Sequence, residues 1–302
     1  MRGEGDLVAA WKISRLVRRF GAHILHLHTA HAHALGGMAV LLSPGPTVVV
    51  SRRVDFPVAQ NPPSRFKYRQ VDRIIAISKN VREVLYKSGV DRSKISVVHS
   101  GIDLDKFASL GDVESLYRSF GLRRADPLVG NIAALAPHKA QDDLLRAARI
   151  VVDRIPDVRF LIVGEGKLKA PLLAQRRALR LEKHVLFTGF RTDIGEILSI
   201  LDVFVLSSYL EGLGTSVLDA MLLSVPVVAT RTGGIPEIVI DGETGFLVPP
   251  RTPKLLAERI CDLLQDENLR RKMGDRGRRI VAKFDINHTV AQTEELYEEL
   301  IL

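Results

Sequence analysis

The stretch Ser207-Ser208-Tyr209-Leu210-Glu211-Gly212-Leu213-Gly214-Thr215-Ser216-Val217-Leu218-Asp219 sets two carboxylates around a short glycine-containing turn. The apolar run Val203–Leu206 before it reads as a strand, and a helix is predicted from about Thr215 to Leu223. In an open parallel sheet, ligands bind beyond the carboxyl ends of the strands. The free N–H groups of Leu213, Gly214, Thr215 and Ser216 at a helix start make a seat for phosphate. Gly212 and Gly214 let the backbone approach a ligand closely. Glu211 and Asp219 would not neutralise a phosphate beside that seat, but both suit the hydroxyls of a sugar or ribose. A second reading of Asp219 stays open, because Ser216 and Asp219 also have capping-box spacing and could simply tie down the helix.

These residues need a scaffold that aims strand ends at one place, and the rest of the chain supplies its pattern. Ten short apolar, β-branched runs are predicted as strands: Ala22–His28, Thr47–Ser51, Arg73–Ser78, Ile95–His99, Leu128–Ala133, Arg159–Val163, Val185–Thr188, Val203–Leu206, Val225–Ala229 and Gly245–Val248. Helical spacing lies between them, clearest over Asp6–Phe20 and Gln141–Val152, and again over His288–Leu302. Buried runs alternating with helices mark parallel sheets covered on both faces, hence an α/β class. The turn signal at Ser100-Gly101-Ile102-Asp103 predicts a division into residues 1–108, 109–284 and a closing helix 285–302 that packs on either unit.

Downstream of the first motif come Val225-Pro226-Val227-Val228-Ala229-Thr230-Arg231-Thr232-Gly233-Gly234-Ile235-Pro236-Glu237 and Asp241-Gly242-Glu243-Thr244-Gly245-Phe246. Together these segments resemble the carboxyl-terminal domain of family 4 retaining glycosyltransferases of the GT-B fold, over residues about 128–285, with weaker matches back to about 22. The resemblance implies two Rossmann-like domains with parallel sheets facing a cleft, and a nucleoside-diphosphate sugar as donor substrate with no cofactor and no metal. It implies that Glu211 contacts the donor sugar, that Asp219 holds the ribose hydroxyls, and that Lys139 stabilises the diphosphate. Two departures stand out: Asp219 is one methylene shorter than the family's glutamate, and Ala134 occupies the place of the family's arginine. Gly164, in Gly164-Glu165-Gly166, matches the post-strand glycine loop, and Phe190 and Arg191 match the segment that reads the base. His28, in His26-Leu27-His28-Thr29, matches the histidine that approaches donor sugar and acceptor.

The resemblance also implies an opening strand, glycine-rich loop and helix for which no counterpart precedes Asp6, so the first domain is expected to be incomplete. Five histidines fall between His23 and His33, but no acid or thiol nearby completes a metal set, and imidazoles commonly just hydrogen-bond at strand ends, so the metal reading is set aside. Arg52 and Arg53 after the second predicted strand are candidates for the acceptor side. The remaining composition excludes more than it selects. The chain has 302 residues, 46% of them apolar, with a net charge of +8 and a single cysteine, Cys261. No internal disulfide can form, which favours a reducing, cytoplasmic setting. The positive charge calls for an anionic partner. No nucleic-acid module is present, so the expected partners are a sugar nucleotide, a glycan or lipid-linked acceptor, and the inner face of an anionic membrane. The implied setting is polysaccharide or lipopolysaccharide biosynthesis. The rival readings are a non-catalytic nucleotide-sugar-binding fragment and, among enzymes, a sugar-nucleotide epimerase.

Overall fold

The structure is a computed structural model that describes residues 6–302. It divides into two compact units, one holding the described residues up to Ser100 together with Asn287–Leu302, the other Gly101–Ile286. The predicted boundary near residue 108 therefore moves to Gly101. The reason is local: the Ile102 N–H donates to Phe284 O at 2.8 Å, which ties the segment after Gly101 into the second unit. A side chain at Gly101 would stand 2.6 Å from Asp285 O, so only glycine permits this approach.

In the first unit, helices α1 (Leu7–Phe20), α2 (Ala30–Leu42), α3 (Pro62–Arg69) and α4 (Lys79–Lys87) alternate with strands β1 (Ile24–Leu27), β2 (Thr47–Arg52), β3 (Arg73–Ala76) and β4 (Ile95–Val97). The strands form one parallel sheet in the order β1-β2-β3-β4. Side-chain caps start the helices: Asp6 accepts from Ala9 N, Thr29 from Ala32 N and Ser78 from Val81 N. Gly21, at φ 55°, ends α1 in the left-handed conformation.

The second unit carries α5 (Val113–Phe120), β5 (Leu128–Ile132), α6 (Gln141–Arg154), β6 (Arg159–Val163), α7 (Lys169–Ala178) and β7 (Val185–Gly189). It continues through α8 (Ile194–Ser199), β8 (Val203–Leu206), α9 (Thr215–Leu222), β9 (Val227–Thr230), β10 (Gly245–Val248), α10 (Pro253–Gln265) and α11 (Glu267–Val281). Its six strands are all parallel, in the order β10-β9-β8-β5-β6-β7. All four side chains of β8 and of β9 are buried. At roughly 1.5–3 kcal/mol for each fully buried aliphatic or aromatic side chain, these strands hold the loops that follow them rigidly. Leu144, Leu145 and Val151 of α6 pack with Phe160 and Ile162 of β6 and Ile260 and Leu263 of α10 in the main core.

The last helix, α12 (Ile286–Ile301), covers a face of the first sheet. Its Leu296 is buried with Val49, Ile75 and Val98, while Ile24, Tyr297 and Leu300 close the edges of that cluster.

Candidate functional site

The strand order of the second unit runs outward from β5 in one direction and from β8 in the other. β5 and β8 are thus neighbours whose connections run to opposite ends of the sheet, and in open α/β sheets ligands bind at the carboxyl ends of such a pair. The loop after each of them carries a charge. Lys139 ends a 3-10 turn (Pro137–Lys139) after β5, and Glu211 lies in the loop after β8. Lys139 Nζ donates to Glu211 Oε2 at 2.5 Å, with side-chain exposures of only 18% and 12%. Ser208 Oγ donates to the same oxygen at 3.2 Å.

Each loop is braced from behind. Ser207 Oγ donates to Lys139 O at 2.9 Å, and Tyr209 N donates to His138 O at 2.9 Å, so the two loops hold each other. Gln141, fully buried, donates from Nε2 to Ala134 O at 3.0 Å. Across the top, Gly234 N donates to Glu211 O at 3.2 Å. A Cβ on Gly233, whose φ is +56°, would sit 1.7 Å from that oxygen.

Gly214, at φ 91°, begins α9, and no side chain caps that helix. This removes the capping-box reading of Asp219, because the N-cap is Gly214 and not Ser216. Leu213 is buried at 1% exposure, so it can offer only its backbone to a ligand, whereas Thr215 is exposed and Ser216 half-buried. The positive end of the helix dipole adds to the field of Lys139. Asp219 forms an ion pair with Lys106, a residue that the sequence reading missed. Burial raises the Asp219 carboxyl above the usual carboxylate range, while Lys106 pulls it back down.

The other second-unit candidates are placed differently. Gly164, at φ 139°, would drive a Cβ to 2.1 Å from Ala133 O, so its glycine character serves the packing of two loops. The Arg191 side chain is paired with Asp193 and stacked over Phe120 at 5.4 Å. Phe190 is 76% exposed. Two arginines of the neighbouring strand-end loops are engaged with acids: Arg231 pairs with Asp241, and Arg251 pairs with Asp142 and Asp143 and stacks on Tyr209.

In the first unit, His28 follows β1, exposed, with its ring 4.0 Å from that of His26 between centroids. Burial and, after it, the nearby Arg53 lower its pKa, which favours the neutral imidazole. Among the described residues no group of three or more His, Cys, Asp or Glu side chains could hold a metal ion, and none of the helices is long and apolar enough to cross a membrane.

Residues 112–280 match the family described as Glycosyl transferases group 1, and residues 2–106 match Glycosyltransferase Family 4. The chain belongs to the group 1 glycosyltransferases, and its two parallel sheets are those of the GT-B fold. It is 28% identical over 305 residues to N-acetyl-alpha-D-glucosaminyl L-malate synthase of Bacillus anthracis, covering 98% of this chain and 80% of that one. It is 27% identical over 313 residues to the Escherichia coli UDP-Gal:alpha-D-GlcNAc-diphosphoundecaprenol alpha-1,3-galactosyltransferase, with the same coverages of 98% and 80%. Among solved structures, that of Anabaena HepE in complex with UDP-glucose superimposes with a TM-score of 0.86 at 23% identity, covering 96% of this chain and 82% of that one.

Proposed function

We propose that the protein is a retaining glycosyltransferase that moves a sugar from a nucleoside-diphosphate sugar to a glycan or lipid-linked acceptor, without a metal. The observation that carries this reading is the Lys139–Glu211 pair at the switch point of the second sheet, beside the uncapped start of α9. Unliganded, the two charges satisfy one another. A bound donor separates their tasks: Lys139 turns to the diphosphate, and Glu211 accepts from hydroxyls of the sugar. As the anomeric bond breaks, negative charge grows on the leaving diphosphate. Lys139 and the N–H groups at Leu213–Ser216 are the donors that stabilise it, which makes the transition state their best ligand. Asp219, held by Lys106, takes the ribose hydroxyls, and the neutral imidazole of His28 takes the transferred sugar. The Escherichia coli relative, whose name gives UDP-Gal as donor and a diphosphoundecaprenol-linked sugar as acceptor, supports this class of donor and acceptor.

A membrane-borne acceptor is consistent with α1. Leu7, Val8, Trp11, Leu16 and Phe20 are 47–73% exposed there, among Lys12, Arg15, Arg18 and Arg19. Such a surface binds anionic bilayers through apolar insertion and charge together. Co-sedimentation with anionic vesicles and none with neutral ones is the expected result.

The donor reading is tested with a panel of UDP-, GDP- and ADP-sugars, first by thermal stabilisation and then by turnover. One nucleotide class should stabilise the protein, and the product should keep the donor's anomeric configuration. An inverted product, or no stabilisation by any nucleotide, would overturn the reading.

A further inference from the structure

His26 and His28 lie two residues apart, so strand periodicity puts them on one face of the first sheet, the face that α12 covers. His28 makes no hydrogen bond among the described residues; its ring packs on the ring of His26, at 4.0 Å between centroids and tilted by 34°, with the Arg53 charge nearby. His26 itself is held on three sides. Its Nε2 is hydrogen-bonded to Ser51 Oγ of β2 at 2.8 Å, and its Nδ1 to the Tyr297 hydroxyl of α12. The Tyr297 ring stands edge-on to it, 5.7 Å away at 90°.

A neutral imidazole has one donor and one acceptor nitrogen, and serine and tyrosine hydroxyls can complement either. Three elements from opposite ends of the chain thus fix one ring that carries no charge. Burial, and secondarily the neighbouring His28, lower the His26 pKa to about 4. The charged or titratable groups that share its cavity of about 200 Å³ are His28, Arg53 and Glu294.

We propose that Tyr297, with Ser51, is a positioning residue that locks His26 as the plate on which the His28 imidazole is stacked and aimed. This rests on the role given to His28 above. Among the described residues no hydrogen bond of His28 competes with its stack on His26, so the direction of its ring follows that of His26, and His26 is held by one hydroxyl from the last helix and one from β2. Tyr297→Phe removes the hydroxyl and keeps the aromatic packing; Ser51→Ala removes the other bond without touching α12.

The test is the 302-residue chain read in two ways: ring ¹H–¹⁵N spectra, with His28 signals assigned by His28→Ala, and steady-state kinetics with the donor that turns over. Expected for Tyr297→Phe is a moved or broadened His28 signal and a kcat loss of about 5-fold, the scale of one neutral hydrogen bond, with the donor KM near wild type. Ser51→Ala should act in the same direction. A His28 signal that superimposes on wild type in both variants overturns the proposal, and so does a moved signal with kcat unchanged. A wild-type chain that transfers no sugar from any donor fails the glycosyltransferase reading instead, and the His28 signal remains the measure of the positioning.

Discussion

In the Lys139–Glu211 pair two little-exposed charges stabilise one another, and under the proposed function a donor separates them. Replacing Glu211 by alanine should abolish transfer while the circular dichroism spectrum stays that of the wild type, since Glu211 caps no helix. Replacing Lys139 by alanine should weaken nucleoside-diphosphate binding by about 1.5–3 kcal/mol, the range of a hydrogen bond to a charged group. Isothermal titration measures that directly, and no arginine at position 134 is there to compensate. His33 makes a separate pH prediction. It is 2% exposed, with Nε2 donating to Lys67 O at 3.3 Å, and burial followed by the Lys67 charge lowers its pKa to about 4. The unfolded imidazole titrates near 6.5, so between 6.5 and 4 the unfolded chain takes up a proton that the folded chain refuses. Its contribution to stability is complete above pH 6.5 and is lost as pH falls toward 4. Melting temperatures should be flat from pH 8 to 7 and drop below 6.5, with a shallower drop in His33→Leu.

Among the elements, the loops after β5, β8 and β9 show what a sequence can and cannot disclose. The ten strands were legible because each is a short apolar run with its own turn signal, and Glu211 with its glycines was legible because the motif is continuous. What escaped prediction joins distant segments. Lys106 and Asp219 are 113 residues apart, and His26 and Tyr297 are 271 apart. Periodicity reports which face a side chain occupies but not which strand will stand next to it, so the β8-β5 switch and the partners of Asp219 had no local signal. Gly233 lies between these cases: its glycine pair was visible, its contact was not. Gly233→Ala meets about 1–2 kcal/mol of left-handed backbone strain, and the clash with Glu211 O adds to it. The variant should melt lower and lose donor affinity, whereas Gly242→Ala, with positive φ but open space around it, should lose stability alone.

At the scale of the whole molecule, each unit has a core of its own, the larger one built on β5–β10 and the smaller on β1–β4 with α12. Two thermal transitions are therefore expected in scanning calorimetry, and a nucleoside diphosphate should raise the one that belongs to the unit with Lys139 and Glu211. A single transition that moves as a whole with ligand would show that the units unfold together. The place of β5 has a consequence for how this molecule is made. β5 is the first strand of the larger unit to leave the ribosome, yet it lies mid-sheet, and the Leu128 N–H waits for Asp202, 74 residues later, to close its far side. Closing so long a loop before any contact rewards it is slow, so half of this sheet spends its early life with one long edge bare. The donor seat proposed above exists only after β8 has docked, so a donor bound there cannot shorten that interval. Under the proposed function, a nucleotide would therefore stabilise the finished fold and not the nascent one, and the interval between β5 and β8 is when the sheet's bare edge is open to wrong pairing.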